Sequence, residues 1–333
     1  MKKRITRKEI AELCGVSQST VTRALNDHPS IPEKTRERIK TAALRRGYIP
    51  SELSRNYYQG RSFRISLVVP SPPDRQRLML PDEYFTRTMY GMVFAAADRG
   101  YHVSVVVDPG MDSDDLARLV LSHSADGLVF IGCRKGDNRF DTLYKKKIPF
   151  IFIHHYVPGT PYLFVDCDPE PGMRQAFEYI QSANVRTLGF LSAGTKFINS
   201  VDRQKAVRTF ARNYDMKIIC RAAGDYTRSS GRRAAGVFLK NELPELIFCA
   251  NDRMAFGLIE GLQADGVRVP RDVRVIGFDD QDICTLARPA ITTIENPFYR
   301  IGELAAEKLI NCLDGKNETG VNLSSRLIPR DSA

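Results

Sequence analysis

The chain has 333 residues, of which 43% are hydrophobic, enough for two or three domains with their own cores and typical of a globular rather than a disordered protein. Its net charge of +10 is uneven: residues 1 to 62 carry 14 basic and 6 acidic side chains, the other 271 carry 35 and 33, so the N-terminal end alone has the character of a polyanion-binding segment. No apolar run approaches the roughly 18 residues that span a bilayer, polar residues stand where a leader would be apolar, and seven scattered cysteines without a CxxC pair read as reduced thiols of a cytoplasmic protein.

In chain order, Thr6 and Glu9 form a capping-box pattern that starts a helix. Its apolar residues Ile10, Ala11 and Leu13 run to Cys14 and Gly15, where a left-handed glycine ends it. Ser17 is suited to cap a second helix. At about 100° per residue, Gln18, Ser19, Thr22, Arg23 and Asn26 share one arc, opposite Val21, Ala24 and Leu25. The polar arc offers amide, hydroxyl and guanidinium groups and no acid, which suits base edges and phosphates; an ordinary amphipathic surface helix has the same pattern. After the turn Asn26-Asp27-His28-Pro29, Pro32 opens a third helix expected to carry Ile39, Ala42, Ala43 and Leu44 inward and to stop at Gly47. Residues 1 to 49 are therefore expected to form a three-helix headpiece. In the linker, residues 50 to 62, Ser51 could cap a helix of about two turns, too short to be stable alone.

From Phe63 the pattern changes to short apolar runs alternating with helical stretches. The expected strands are Ile65 to Val69, Val103 to Val107, Gly127 to Ile131, Phe150 to Ile153, Leu188 to Leu191, Leu246 to Cys249 and Val273 to Phe278. Amphipathic stretches between them include Tyr84 to Asp98, Arg203 to Tyr214, Arg253 to Ala264 and Asn296 to Leu313. Such alternation implies an α/β core of parallel sheets covered by helices, with ligands bound at the carboxyl ends of strands. Polar residues just past the strands are the site candidates: Ser71, Gly132, His154, His155, Ser192, Asn251, Asp252 and Asp279. Asn251 or Asp252 could equally cap a helix, and Asp279 could be a turn residue. His154 and His155 lack a spaced partner that would complete a metal set. GxGxxG, GxxxxGK[ST] and GxSxG are absent, so neither nucleotide-dependent nor serine-hydrolase chemistry is indicated, and no cofactor is expected.

The segments VSQSTVTRALN, KTRERI and GYIP resemble the lactose-repressor (LacI/GalR) family of bacterial transcription regulators. So, independently, do FCANDRMAFGLIEGLQADGVRVPRDVRVIGFDD, PAITTIENP and IGELAAEKL, which are similar to that family's effector-binding core, a fold shared with periplasmic sugar-binding proteins. The resemblance covers nearly the whole chain. It implies a helix-turn-helix headpiece (1–49), a hinge helix (50–62) and a periplasmic-binding-protein-like core (63–333). That core would divide into an N-subdomain, about 63–163 and 291–322, and a C-subdomain, about 164–290 and 323–333. It also implies a homodimer on a pseudo-palindromic double-stranded operator, with Gln18, Ser19 and Arg23 at base-reading positions, Ser17, Thr22 and Asn26 towards the phosphates, and Thr6 among the DNA-binding residues. Tyr57 stands where the family usually inserts Leu into the minor groove.

For the effector, the resemblance implies Arg203, Asn251 and Asp279, with Asp252 beside them; Ser71, His154 and His155 complete the expected set. His154-His155 replaces the family's usual Asp followed by a polar or aromatic residue, and Asp168-Pro169 its Asp-Asn. These residues suit a sugar, a sugar acid or a related metabolite, with the imidazoles stacking on a sugar face or, if protonated, meeting an anion. The function implied is a non-enzymatic repressor of a carbohydrate operon, acting in the cytoplasm at the nucleoid. The alternative is an enzyme of sugar metabolism that carries a DNA-binding headpiece.

Overall fold

The computed structural model describes residues 5–48, 60–71, 83–240 and 242–333. Tyr57 and the expected hinge helix from Ser51 lie outside them. The chain divides into two compact units, Met1–Arg64 with Ser122–Asp126, and Ile65–Leu121 with Gly127–Ala333.

The first unit opens with α1 (Arg7–Cys14), α2 (Gln18–Leu25) and α3 (Glu33–Arg45). The capping box is formed: the Glu9 amide donates to Thr6 Oγ1 at 3.3 Å, and the Thr6 amide donates to Glu9 Oε2 at 2.6 Å. Gly15 closes α1 at φ 62°, a conformation an L side chain rarely takes. Ser17 caps α2 by accepting the Thr20 amide at 3.1 Å. Ile10, Ala11, Cys14, Val21, Ala24, Ile31 and Ile39 make the core. Leu44, expected inward, is 82% exposed. It sits about 140° around the helix from Ile39, on the outer face. Further along the same unit, Asp126 accepts the backbone amides of Ser62 and Phe63 at 2.6 and 2.9 Å.

The second unit holds two main sheets. The first joins β1 (Arg64–Pro70), β2 (His102–Asp108), β3 (Gly127–Ile131), β4 (Phe150–Ile153), β5 (Leu163–Asp168) and β11 (Val321–Ser324) in the order β11-β5-β4-β3-β1-β2. Pairing is parallel from β1 through β3, β4 and β5 to β11. α4 (Glu83–Asp98), α5 (Ser113–Leu121), α6 (Arg139–Lys145) and α12 (Phe298–Leu313) belong with it. The second sheet has the order β7-β6-β8-β9, with β6 (Thr187–Ser192), β7 (Lys217–Ala223), β8 (Leu246–Cys249) and β9 (Arg274–Ile276), all parallel. α7 (Glu170–Gln181), α8 (Ile198–Asn213), α9 (Arg228–Leu239), α10 (Asp252–Ala264) and the short α11 (Ile283–Leu286) accompany it. β10 (Thr293–Glu295) and β12 (Arg326–Ile328) form an antiparallel ribbon.

Five strands, β5, β7, β10, β11 and β12, went unread in the sequence: charged residues interrupt or flank four of them, as in LFVDCD and KIICRAA, and β11, VNLS, is a four-residue alternation of apolar and polar residues. The consequence falls on the subdomain boundary. A break at 163/164 would split β5 from β4, yet Ile151, Phe152 and Ile153 pair with Leu163, Phe164 and Val165. The chain therefore leaves the first sheet after Asp168, returns in the segment between β10 and α12, and leaves again between β11 and β12.

Candidate functional site

Two surfaces carry the chemistry. On α2 the side chains of Gln18, Ser19 and Arg23 are exposed, as is the cap Ser17 just before them, while Asn26 at the end of the helix is half-buried. Thr22 is only 5% exposed. Its hydroxyl donates to the Gln18 carbonyl at 3.0 Å and accepts from Arg7 Nη1 at 3.1 Å. Thr22 thus braces the exposed polar face of α2 and holds Arg7 beside it. Arg7, in the first turn of α1, was not anticipated; no helical period within α2 reveals a residue brought in from the preceding helix. Thr6 is exposed, with its hydroxyl engaged by Glu9.

The second surface is a cavity of about 140 Å³ in the second unit. Its walls come from the ends of strands of both sheets and from the segment that returns between them. Of the expected effector residues, it gathers His154, Arg203, Asn251 and Asp279. Arg203, one turn into α8, is 5% exposed; its Nη1 donates to the Ala250 carbonyl at 2.5 Å and its Nη2 to Asp279 Oδ1 at 2.9 Å. Its guanidinium carbon lies 3.8 Å from the centre of the Phe278 ring, a cation–π contact that favours a fixed plane. Asn251 caps α10 by accepting the Met254 amide at 3.0 Å and still lines the cavity, so the capping and lining roles coexist. Asp279 at φ 112° and His154 at φ 52° both hold backbone conformations that non-glycine residues seldom adopt.

Ser71, His155 and Asp252 stand elsewhere. Ser71 faces an adjoining hollow with Asp108, Met111 and Arg139. His155 packs its ring against Phe152 and Phe140, with centroids 4.9 and 6.3 Å away. Asp252, wholly buried behind the cavity, accepts the Gln281 amide at 2.9 Å and the Thr293 hydroxyl at 2.5 Å. Burial raises Asp252 to about 8, with Asp279 adding to the rise.

Gly132, a candidate just past β3, also lines the cavity, and most of the remaining lining was not singled out in the sequence. Tyr84, Phe85, Phe197, Tyr226 and Phe298 give the cavity its aromatic wall, and Asn199, Gln281 and Asn296 add polar groups. Asn296 follows β10, so the rule that selected Asn251 would have found it had that strand been read. Asn296 Nδ2 donates to Asp279 Oδ1 at 3.2 Å, and its Oδ1 lies 3.1 Å from His154 Nε2. Burial pushes both His154 and His155 down to about 4, opposed by the Asn296 bond at the first and by Asp137 at the second. Both rings are therefore neutral at pH 7, which disfavours the second of the two alternatives, a protonated imidazole meeting an anion. Among the described residues, no group of three or more His, Cys, Asp or Glu side chains could hold a metal ion, and no helix is long and apolar enough to cross a membrane.

Comparison with known proteins bears on both surfaces. Residues 6–51 match the bacterial regulatory proteins of the lacI family, and residues 177–333 match the periplasmic binding protein-like domain. The chain is 25% identical to the HTH-type transcriptional regulator CelR of Thermobifida fusca, over 99% of each chain. It is 26% identical to the HTH-type transcriptional repressor CytR of Escherichia coli K12, over 97% of this chain and 93% of that one. In structure it resembles the lac repressor dimer bound to operator and the anti-inducer ONPF, with a TM-score of 0.84 and 22% identity over 99% of each chain. It also resembles the CelR–cellobiose complex, with a TM-score of 0.75 and 24% identity over 99% of this chain and 100% of that one. At these identities the structural likeness is one of fold.

Proposed function

Because the chain belongs to the lacI family of bacterial regulatory proteins, we propose that it is a sequence-specific transcriptional repressor whose operator affinity is set by a small polar ligand in the Arg203–Asp279 cavity. The observation that carries this reading is the cavity itself. Aromatic rings, a buried ion pair and several amides converge where strands of two parallel sheets end, the usual place for a ligand in such folds. Its volume is below the roughly 300 to 1,000 Å³ of sites for drug-sized ligands and suits a single sugar ring or a molecule of that size. One relative is known in complex with cellobiose, which supports a carbohydrate or a related polyhydroxylated metabolite as effector.

The headpiece would read the operator through Gln18, Ser19 and Arg23, with Arg suited to guanine and Gln to adenine in the major groove. Ser17, Asn26 and the Thr22–Arg7 pair would set its register on the phosphates. A second copy of the chain fits the outer face of α4 and β2, where Tyr90 and Phe94 are 56% and 57% exposed beside Val93, Val105 and Val107. A ligand that prefers one arrangement of the two sheets would change operator affinity by linkage, by roughly 5- to 150-fold for a coupling of about 1 to 3 kcal/mol. This function requires no bond making, and its place is the cytoplasm, where the operator is. Operator binding measured with and without sugars tests it: one sugar must change the affinity, and Asp279→Asn must remove that response while leaving DNA binding in place.

A further inference from the structure

The turn that carries Asp279 is gripped from outside its own sheet. The backbone amides of Asp279, Asp280 and Gln281 donate to the Ile294 carbonyl at 2.7 Å, to Thr293 Oγ1 at 3.4 Å and to Asp252 Oδ2 at 2.9 Å. These acceptors stand on β10 and α10, with the second sheet. The Asp282 amide donates instead to the two carboxylate oxygens of Glu83, at 2.8 and 3.1 Å, in the first turn of α4 and so with the first sheet. Arg87, one turn further along α4, donates Nη1 to the Asp280 carbonyl at 3.1 Å and lies 3.7 Å from Glu83. Asp279 and Asp280, at φ 112° and 51°, give the turn a shape that non-glycine residues hold only where their contacts fix it.

The same stripe of α4 continues outward. At about 100° per residue, Glu83, Arg87, Tyr90 and Phe94 fall within roughly 60° of one another, and Tyr90 and Phe94 are exposed. On the reading that the cavity is the effector site, we propose that Glu83 and Arg87 are the joint through which it controls α4, passing the position of the Asp279–Asp282 turn to the helix that presents Tyr90 and Phe94 to a second copy of the chain. The two side chains are 25% and 46% exposed, so water replaces their bonds without unfolding when turn and helix separate. The Arg203–Asp279 pair, buried in the cavity wall, has no such freedom. A ligand that draws on Asp279 from one side and on Tyr84 and Phe298 from the other changes how the turn sits against α4. The helix is continuous from Glu83 to Asp98, so a shift of its first turn reaches Tyr90 and Phe94, about 10 to 16 Å along the axis.

The test uses the full-length protein, a duplex selected from random sequence, and glucose, galactose, cellobiose and glucuronate as probes. For the probe that alters wild-type duplex affinity most, anisotropy gives the affinity ratio with and without saturating probe, and calorimetry gives the probe's own affinity with and without duplex. In Glu83→Ala the ratio should fall from at least about fivefold to below about twofold, while probe and duplex each bind alone within about threefold of wild type. Linkage then requires the duplex to lose its effect on probe affinity by the same factor, which a merely structural role for Glu83 would not produce. Glu83→Gln, whose amide oxygen still accepts from Asp282, should keep about half of the response on a logarithmic scale. A wild-type ratio in Glu83→Ala, a ratio lost in step with probe affinity, or a Glu83→Gln as unresponsive as Glu83→Ala overturns the proposal and leaves the cavity as the effector site. If no probe alters duplex affinity, or if Asp279→Asn keeps the full response, the cavity reading itself fails and the proposal falls with it.

Discussion

Arg203 and Asp279 face each other at 2.9 Å with side chains only 6% and 8% exposed. Removing one member of such a pair strands the other charge away from water, at a cost of about 3 to 5 kcal/mol. Asp279→Ala should therefore lower stability by that order in urea unfolding, and Asp279→Asn by less, because the amide oxygen can still accept from Arg203. A loss below about 1 kcal/mol for Asp279→Ala would mean that the pair does not hold the cavity wall.

The buried titratable groups give stability a pH dependence with two opposed parts. His154 and His155 are lowered by burial from 6.5 to about 4. Their contribution is fully present above the unfolded value and is lost as pH falls from 6.5 towards 4. Burial raises Asp166 from 3.8 to about 7 and Asp252 to about 8. Their contribution is fully present at low pH and is lost as pH rises through those values. Between 4 and 6.5 the slopes oppose, and above 6.5 the aspartates act alone. Urea unfolding should show lower stability at about pH 8.5 than at about 6.5, and Asp252→Asn, which cannot ionise, should flatten much of that fall. An unchanged slope in the variant would contradict the buried-acid account.

Helices α4 and α12 touch through glycines. A Cβ at Gly302 would lie 1.9 Å from the Thr88 carbonyl oxygen, and one at Gly91 would lie 2.0 Å from that of Tyr299. Backbone on the far side cannot give way cheaply, so Gly302→Ala should destabilise by about 1 to 3 kcal/mol or more. Gly236, in α9, has open space around its would-be Cβ. Gly236→Ala should be neutral or stabilising by up to about 1 kcal/mol through helix propensity. Thermal unfolding of the two variants, compared side by side, checks the contrast.

How much of this was legible in the sequence depended on whether a signal was local. The capping box and the left-handed glycine at Gly15 act within one turn, so the start and end of α1 could be read directly. Leu44 was misjudged because hydrophobicity was counted without following its angle from Ile39. β5 was overlooked because Asp166 and Asp168 break its apolar run; its strand character comes from pairing with β4 and β11, which no short window contains. In the cavity, Arg203, Asn251 and Asp279 were reached through family likeness and strand ends. Tyr84, Tyr226, Asn296 and Phe298 are brought together by the crossovers between the sheets, and that proximity exists only in the folded chain.

In the headpiece, exposure separates two threonine and arginine roles. Arg23→Ala should lower operator affinity by about 1 to 3 kcal/mol and relax preference at one base position. Thr22→Val removes a hydroxyl used inside the protein, by Gln18 and Arg7. It should cost about 1 kcal/mol of headpiece stability and leave base preference unchanged. Fluorescence anisotropy with single-base operator variants distinguishes the two; a change in base preference for Thr22→Val would place its side chain against the DNA.

The central claim, a repressor that reads DNA sequence under ligand control, is tested most directly by selecting binding sites from a random duplex library with the full-length protein and then titrating the selected duplex with and without sugars. The expected result is one enriched sequence with two half-sites related by a dyad, bound at least about a thousandfold more tightly than scrambled DNA, with an affinity that one sugar changes by at least about fivefold. Equal affinity for selected and scrambled duplexes, or a specific affinity that no sugar alters, would contradict it.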